Sequence, residues 1–227
     1  MHNFHCQNCT VRTNSIFEGL IDSELKILDE IKICKFYDKG EFLFQEGEDP
    51  KGIFCLRAGK IKVSKYGVDG KGQITHLAHA GQTLGHRALF ADENYSGSAV
   101  ALDRVHVCFI PKNSLKEIVN KNPSIVWSVA KLLAKELREA ESKITHMAQE
   151  SVKIRLIEAL KTLIETYGYT IDGMTINVPI IRQDLADIVG STRETVTRNL
   201  YALQSENLIL LSGKKISILD KSVFNLT

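Results

Sequence analysis

Four polar side chains near the C-terminus have the chemistry needed to read DNA bases. They lie close together in the chain: Arg193, Glu194, Thr197 and Arg198. Arginine donates paired hydrogen bonds to guanine O6 and N7, and glutamate accepts one from the cytosine amino group. From one short helix, such side chains reach base edges in the major groove. The set predicts sequence-specific DNA binding; the competing interpretation is a solvated charged face.

The residues around them, 182–200, predict a helix, a tight turn and a second helix. Apolar residues form one stripe on the first helix: Leu185, Ala186 and Val189. Gly190 can take the left-handed conformation that ends a helix, and Ser191 or Thr192 can cap the next one. The small Ala186 suits the point where the two helices cross. The pattern therefore favours a helix-turn-helix.

Two apolar runs follow this helix pair, 208–211 and 216–219, and flank a turn that contains Lys214 and Lys215. Short strands around such a turn form a hairpin. Its two lysines are placed to contact DNA phosphates. A short strand over 174–178 is expected before the helix pair. We therefore expect a winged helix-turn-helix domain over 149–227.

The middle of the chain has a different sequence pattern. Between about 35 and 111, short apolar or alternating runs are separated by glycines. Strands at this spacing favour a small β-barrel or sandwich. We expect an α+β protein with a barrel over 16–122 that acts as the effector or sensor domain. Before it lies a loose tail over 1–15 that carries a Cys-x2-Cys pair.

A long helix over 123–148 is expected to join the barrel to the C-terminal domain. Its apolar residues recur at alternating steps of four and three: Val126, Ala130, Leu133, Leu137, Ala140, Ile144 and Met147. An unbroken heptad pattern of this kind predicts a parallel two-helix dimer seam. Trp127, Val129 and Leu132 flank the seam and could pack on the barrel. The alternative is a helix buried only within its own subunit.

Length and composition limit the class of protein. The chain has 227 residues, a net charge of only +2 and 44% hydrophobic residues, so any basic surface must come from local arrangement. No apolar run approaches the ~20 residues of a membrane span. The N-terminus lacks the basic and apolar regions of a secretory signal. We therefore expect a cytoplasmic protein with no membrane partner.

The order of barrel, seam helix and winged helix-turn-helix resembles the cyclic-AMP receptor protein/FNR family of transcription regulators. The most specific likeness is the run from Arg193 to Arg198; Arg182, Arg155 and the turn at Gly85 also match. The resemblance implies a barrel of the cyclic-nucleotide-binding type, a double-stranded β-helix or jelly roll. It covers nearly the whole chain from residue 16.

The resemblance also implies roles for individual residues. Three would read bases: Arg193, Glu194 and Arg198. Three would contact phosphates and set register: Arg182, Thr192 and Thr195. The partners implied are a second copy of the chain, a palindromic double-stranded DNA operator with half-sites resembling TGTGA, and RNA polymerase if the protein is an activator.

The barrel departs from the family's cyclic-nucleotide site. As the resemblance implies it, that site uses a Gly-Glu turn and a later Arg-Ser pair. The matching residues here are Gly85-His86-Arg87 and Ser96-Gly97, so the phosphate-binding arginine is missing. We therefore expect that cyclic AMP is not the effector. Arg87 is either a cation for a different anion or a surface or salt-bridged residue, and His86 is expected to be structural or solvated.

A second sensor chemistry is suggested by cysteines. Cys6-Gln7-Asn8-Cys9 resembles the start of the FNR iron–sulfur motif, and Cys108 matches its distant cysteine. Thiolates are the usual ligands of such clusters. The third N-terminal cysteine of the motif would fall at Ser15, which leaves one corner of the cluster without a thiol.

Other interpretations of these cysteines stay open. His2 or His5 could complete the cluster, or both could hold zinc with the two N-terminal cysteines. Cys34 and Cys55 are expected to be inert core thiols. The protein could also need no effector, or bind an unrelated one such as haem.

The sequence therefore predicts a homodimeric DNA-binding transcription regulator, controlled by an effector or redox signal at the barrel. The alternative is a small-molecule-binding signalling module whose C-terminal domain contacts protein. An enzyme is not expected, because the sequence contains no nucleophile–base motif and no phosphate-cradling glycine loop with a lysine.

Overall fold

The computed structural model describes residues 5–224. The chain divides into two compact units, Met1–Val63 with Ala78–Ala140 and Ser64–Leu77 with Glu141–Thr227. Among the described residues, no helix is long and apolar enough to cross a membrane.

Two antiparallel sheets of four strands form the β-barrel. The strands are β1 (Ile33–Tyr37), β2 (Phe42–Phe44), β3 (Gly52–Ala58), β4 (Ile61–Tyr66), β5 (Gly72–Ala78), β6 (Thr83–Leu84), β7 (Ser98–Ala101) and β8 (Val105–Pro111). One sheet has the order β1-β8-β3-β6 and the other β2-β7-β4-β5. The apolar core between them contains aromatic rings, with Phe44 stacked on Tyr95 at a centroid distance of 3.9 Å. The expected barrel is confirmed.

Helices cover one side of this unit: α1 (Asp22–Ile31), α2 (His86–Ala91), α3 (Lys112–Lys121) and the start of α4 (Ser124–Gln149). Their core contains Leu25, Ile118 and Ile125. The expectation of a loose N-terminal tail is wrong for the described residues. Short 3-10 turns form at Cys6–Asn8 and Arg12–Asn14, and Cys6 is buried in the same core.

The long helix α4 presents a half-buried side and an exposed side. Ile125 and Val129 are buried, and Leu132 and Leu133 pack against the same core. The expectation that Trp127 packs on the barrel is wrong, since its side chain is 67% exposed. Two residues correspond to about 200° of helix rotation, which turns Trp127 away from Ile125 and Val129.

The second unit contains α5 (Val152–Tyr167), α6 (Arg182–Val189), α7 (Arg193–Ser205), β9 (Ile209–Ser212) and β10 (Lys215–Ile218). Its core is made mainly of aliphatic residues from all of these elements, together with Tyr167 and Phe224. The strand expected over 174–178 is reduced to isolated bridges, Thr175 with Ser217 and Tyr169 with Ile176. The Asp172 carboxylate accepts hydrogen bonds from the backbone of Met174 and Thr175, which holds this segment in a turn.

Candidate functional site

The turn between α6 and α7 sets the angle of the second helix. Gly190 has a φ of 63° and ends α6, and its amide donates to Ala186 O. Thr192, rather than Ser191, caps α7, because its hydroxyl accepts from the backbone amide of Thr195 at 3.2 Å. A side chain at Gly190 would be strained by the positive φ and would approach Met147 Sδ to 3.0 Å. The predicted capping and turn residues are thus confirmed.

Apolar packing determines which face of α7 remains free. Val196, Leu200 and Leu203 are buried against α6, where Leu185 and Ala186 are fully buried. Because these residues recur at steps of three and four, the opposite face of α7 points away from the core. The polar residues predicted to read bases lie on that opposite face.

This free face forms a shallow open groove lined by five residues: Arg193, Glu194, Thr197, Arg198 and Tyr201. The side chains of Arg193, Glu194 and Arg198 are exposed, and within residues 5–224 they form no ion pair. Thr197 Oγ1 donates to Arg193 O at 2.7 Å. The hydroxyl oxygen of Thr197 can therefore still accept a hydrogen bond. The groove therefore offers guanidinium donors and carboxylate and hydroxyl acceptors together.

Tyr201 is a member of this groove that the sequence analysis missed. Its side chain is 61% exposed, and it lies four residues after Thr197 and three after Arg198. Residues at these spacings share one helix face. The spacing alone could therefore have identified it.

The wing is connected to the helix pair by Arg182. β9 and β10 pair in an antiparallel hairpin with Lys215 opposite Ser212, and Gly213 turns the chain with a φ of 59°. Arg182 Nη2 donates to Gly213 O at 3.3 Å, and burial lowers the pKa of its guanidinium. Lys214 and Lys215 are exposed at the tip. Arg182 therefore orients the wing turn, in addition to the phosphate contact predicted for it.

Arg155, the other arginine that carried the resemblance, has a structural role. Its Nε donates to Val189 O at 2.9 Å, and its Nη1 donates to Glu150 O at 2.7 Å and Met147 O at 3.3 Å. These carbonyls lie at or next to the C-terminal ends of α6 and α4, where helices leave acceptors without backbone partners. Arg155 thus joins the end of α4 to the helix-turn-helix.

In the barrel, the residues of the predicted effector pocket are engaged by the protein itself. Gly85, with a φ of 82°, begins α2. His86 is 2% exposed, and its Nε2 lies 3.1 Å from Glu136 Oε2 on α4, while Arg87 Nε lies 3.6 Å from the same oxygen. The interpretation of His86 as a solvated residue is therefore wrong, and Arg87 is salt-bridged.

The second half of that predicted pocket offers no cation. Ser96 is exposed and Gly97 is buried, beside the stacked ring of Tyr95. The Glu136 carboxylate faces both His86 and Arg87. Among the described residues, the two side chains at this turn are therefore directed at a carboxylate of the chain itself.

The cysteines converge on a different site. Four of them line one mainly apolar cavity: Cys6, Cys9, Cys55 and Cys108. Ser15 lies in the same lining, and its hydroxyl donates to Arg12 O at 2.7 Å. Cys55 was predicted to be an inert core thiol; it packs against the core, and it also lines this cavity, which was not predicted. Cys34, predicted to be in the core as well, is exposed.

Charged groups surround Cys6 at the edge of this cavity. Its amide donates to Asp29 Oδ1 at 2.7 Å, and Lys32 Nζ lies 3.2 Å from its Sγ and is paired with Asp29. Burial raises the pKa of Cys6 to about 11 and that of Cys108 to about 12, and it raises the pKa of Cys55 as well. All three are therefore protonated thiols at neutral pH.

The zinc alternative is not supported by the described residues. Within residues 5–224, no three His, Cys, Asp or Glu side chains are arranged to hold a single metal ion. His5 pairs with Asp29 at 3.4 Å, and His2 lies outside the described residues.

Two family models match the chain, one over the β-barrel and one over the C-terminal helix-turn-helix. Residues 34–122 match the family model of the cyclic nucleotide-binding domain, and residues 154–224 match that of the Crp-like helix-turn-helix domain. Electron transport regulator A of Shewanella oneidensis is 30% identical over 224 residues, which cover 98% of this chain and 89% of that protein. The anaerobic regulatory protein of Bacillus subtilis is 31% identical over 202 residues, 87% and 85% of the two chains.

Solved structures share the fold at lower identity. FixK2 from Bradyrhizobium japonicum has a TM-score of 0.75 at 22% identity and covers 86% of this chain and 96% of its own. The global regulator CLP of Xanthomonas campestris has a TM-score of 0.76 at 18% identity, with coverages of 88% and 100%. A matching DNA-binding domain argues against the alternative of a purely protein-binding C-terminal domain. With its barrel, its long helix and the free polar face of α7, the chain is a DNA-binding transcription regulator of the CRP/FNR family.

Proposed function

We propose that this protein is a redox-controlled regulator that binds a palindromic operator as a homodimer. Each subunit places α7 in one of two successive major grooves, about 34 Å apart. The observation that carries the proposal is the free face of α7, where Arg193, Glu194 and Arg198 are exposed and form no ion pair with any other residue of the described range 5–224. Arginines on guanine and glutamate on cytosine favour half-sites resembling TGTGA.

Selection of binding sites from random duplexes tests this proposal directly. The full-length protein is expected to enrich an inverted repeat with guanines at the positions facing Arg193 and Arg198. Recovery of half-sites without those guanines would contradict the base assignments. Enrichment of a single half-site, without its inverted copy, would contradict the homodimer.

Contacts to the DNA backbone are proposed for five residues: Arg182, Thr192, Thr195, Lys214 and Lys215. Thr192 and Thr195 lie at the N-terminus of α7, where backbone amides and the helix dipole favour a phosphate. Lys214 and Lys215 extend from the wing tip. These residues would fix register and orientation without reading sequence.

Tyr201 is expected to contribute one hydrogen bond from its exposed phenol to DNA. Tyr201→Phe removes only the hydroxyl and is predicted to weaken operator binding by about 0.5–1.5 kcal/mol per subunit. Fluorescence anisotropy with the selected operator measures the loss. Tyr66→Phe, which alters an exposed tyrosine outside α7, is the matched control. Equal affinities of the Tyr201→Phe and wild-type proteins would remove Tyr201 from the interface.

The signal input is proposed to lie at the cysteine-lined cavity. Cys6, Cys9 and Cys108 are the thiols that carried the resemblance to an iron–sulfur motif, and Cys55 supplies a fourth in place of Ser15. Four cysteine thiolates are a common ligand set for such clusters. The donor set and apolar lining therefore fit the group. An iron–sulfur cluster would supply a centre whose integrity depends on oxidants.

Anaerobic reconstitution with ferrous iron and sulfide tests the ligand set. Wild-type protein is expected to acquire iron, sulfide and thiolate-to-iron absorption in the visible range. Cys55→Ser is expected to lose most of this absorption, whereas Cys34→Ser, which changes a cysteine outside the cavity lining, should retain it. Full loading of the Cys55→Ser protein would exclude Cys55 as a ligand.

Loading of this site is expected to depend on pH. Because burial raises the pKa of Cys6 to about 11 and of Cys108 to about 12, both protons must leave when the thiolates bind metal. Affinity should therefore rise with pH, by up to about tenfold per pH unit for each proton released. Iron content after reconstitution between about pH 6.5 and 8.5 measures this trend. A flat profile would mean that these thiols are not ligands.

The helix α4 is proposed to transmit the signal through a dimer seam of Val126, Ala130, Leu133, Leu137, Ala140, Ile144 and Met147. An input at the cavity can act only by changing the relative stability of two arrangements of the paired helices. Contact with RNA polymerase is proposed for the case in which the protein activates transcription, and the cytoplasm is the proposed compartment.

A further inference from the structure

Two cysteines, Cys34 and the proposed ligand Cys108, lie directly opposite each other on neighbouring strands. The antiparallel register of β1 and β8 pairs Cys34 with Cys108, and their Sγ atoms are 3.7 Å apart. Opposite residues in such a pair have Cα atoms about 4.5–5.5 Å apart. Disulfides span Cα distances of about 4.4–6.8 Å. Rotation of the two side chains, without displacement of the strands, can therefore bring the sulfurs to bonding distance.

The two thiols differ in their surroundings. Cys34 is exposed, whereas Cys108 is half-buried, and burial raises its pKa to about 12. A thiol that reacts first with a dissolved oxidant must be accessible. Cys34 meets that condition, and Cys108 is positioned to react with the oxidised sulfur of Cys34.

We propose that Cys34 and Cys108 form a reversible disulfide when the protein meets a hydroperoxide. The Cys34 thiolate attacks one peroxide oxygen, the O–O bond breaks, and Cys34 becomes a sulfenic acid as the peroxide is reduced. The Cys108 sulfur then attacks the Cys34 sulfur. The S–O bond breaks, and the Cys108 proton and the departing hydroxide leave as water.

This oxidation site shares Cys108 with the cysteine-lined cavity. Register places Cys55 of β3 on the other side of Cys108, so the three cysteines form a row across β1, β8 and β3. Cys55 lines the cavity and is only partly exposed, whereas Cys34 is exposed, so a dissolved oxidant reaches Cys34 more readily. The disulfide with Cys34 would withdraw Cys108 from the cavity. The inference does not depend on the proposed cluster or on DNA binding.

Thiol counting and peptide mapping test the disulfide on the full-length chain after metal removal by a chelator. After treatment with hydrogen peroxide and removal of the excess, the number of free thiols under denaturing conditions is expected to fall from five to three. Tryptic digestion without reductant should then yield peptides 33–35 and 105–112 joined through sulfur. Dithiothreitol should restore all five thiols.

Two variants make the test specific. Cys34→Ser should abolish the joined peptides, and Cys55→Ser should leave them unchanged. The proposal is overturned if peptide 105–112 is joined instead to peptide 52–57, which contains Cys55. It is equally overturned if Cys34 is oxidised with no cross-link. Cys55→Ser is expected to lose the cluster but keep the disulfide, whereas Cys34→Ser is expected to keep the cluster but lose the disulfide. Failure of the cluster proposal and failure of the disulfide proposal can therefore be recognised separately.

Discussion

Replacing Arg198 by lysine is expected to weaken binding to the selected operator by about 1–3 kcal/mol per subunit, or roughly 5- to 150-fold. Lysine keeps the positive charge but lacks the planar fork that matches guanine O6 and N7. Affinity for scrambled DNA rests on charge and should change little. The ratio of operator affinity to scrambled-DNA affinity should therefore fall by almost as much as the operator affinity itself.

The measurement is a titration of both duplexes at one fixed salt concentration, because protein–DNA affinities depend strongly on salt. Arg138→Lys, an exposed arginine on α4, is the matched control and should leave both affinities unchanged. Equal losses on operator and scrambled DNA would reassign Arg198 to a phosphate contact. The same comparison with Arg193→Lys tests the second guanine assignment.

The helix-turn-helix was predictable from sequence because its signals are local. Gly190 and Thr192 define the ends of two helices through their own backbone conformation and hydroxyl, and both act as predicted. Such features depend on neighbours within a few residues, where propensity and capping rules apply directly.

The cysteine arrangement was not predictable in this way. Cys34 and Cys108 are 74 positions apart, and only the register of β1 against β8 brings them together. The same register, continued to β3, places Cys55 beside Cys108. A shift of one residue would have turned these side chains to the other face of the sheet. Apolar neighbours in sequence therefore gave a misleading interpretation of Cys34, which is exposed, whereas Cys55 does pack against the core.

His86 illustrates the same limit at the predicted effector turn. The sequence of this turn shows the loss of the family's Gly-Glu pattern, but nothing in it indicates a contact with Glu136, 50 residues later on α4. That carboxylate lies within hydrogen-bonding distance of His86 Nε2 and also faces Arg87. The contact shows that the chain itself supplies a carboxylate to these first two side chains of α2.

The seam of α4 is expected to be essential for operator binding. Leu137 and Ile144 are 62% and 68% exposed in the single chain, although both are large and apolar. Leu133, by contrast, packs against the core of its own unit, so a charge there would disturb folding as well as assembly. Leu137→Asp combined with Ile144→Asp therefore tests the seam with less risk to the fold.

In a parallel pair, each introduced carboxylate would face its copy across the seam, which makes association unfavourable through desolvation and like-charge repulsion. The double variant is expected to sediment as a monomer and to lose operator binding at least tenfold, since one bound half-site no longer assists the other. Ser142→Asp places the same charge on the opposite side of α4 and should remain dimeric. Circular dichroism establishes that each variant is folded. A folded double variant that stays dimeric and binds normally would place the dimer interface elsewhere and would contradict the proposal that α4 transmits a signal through this seam.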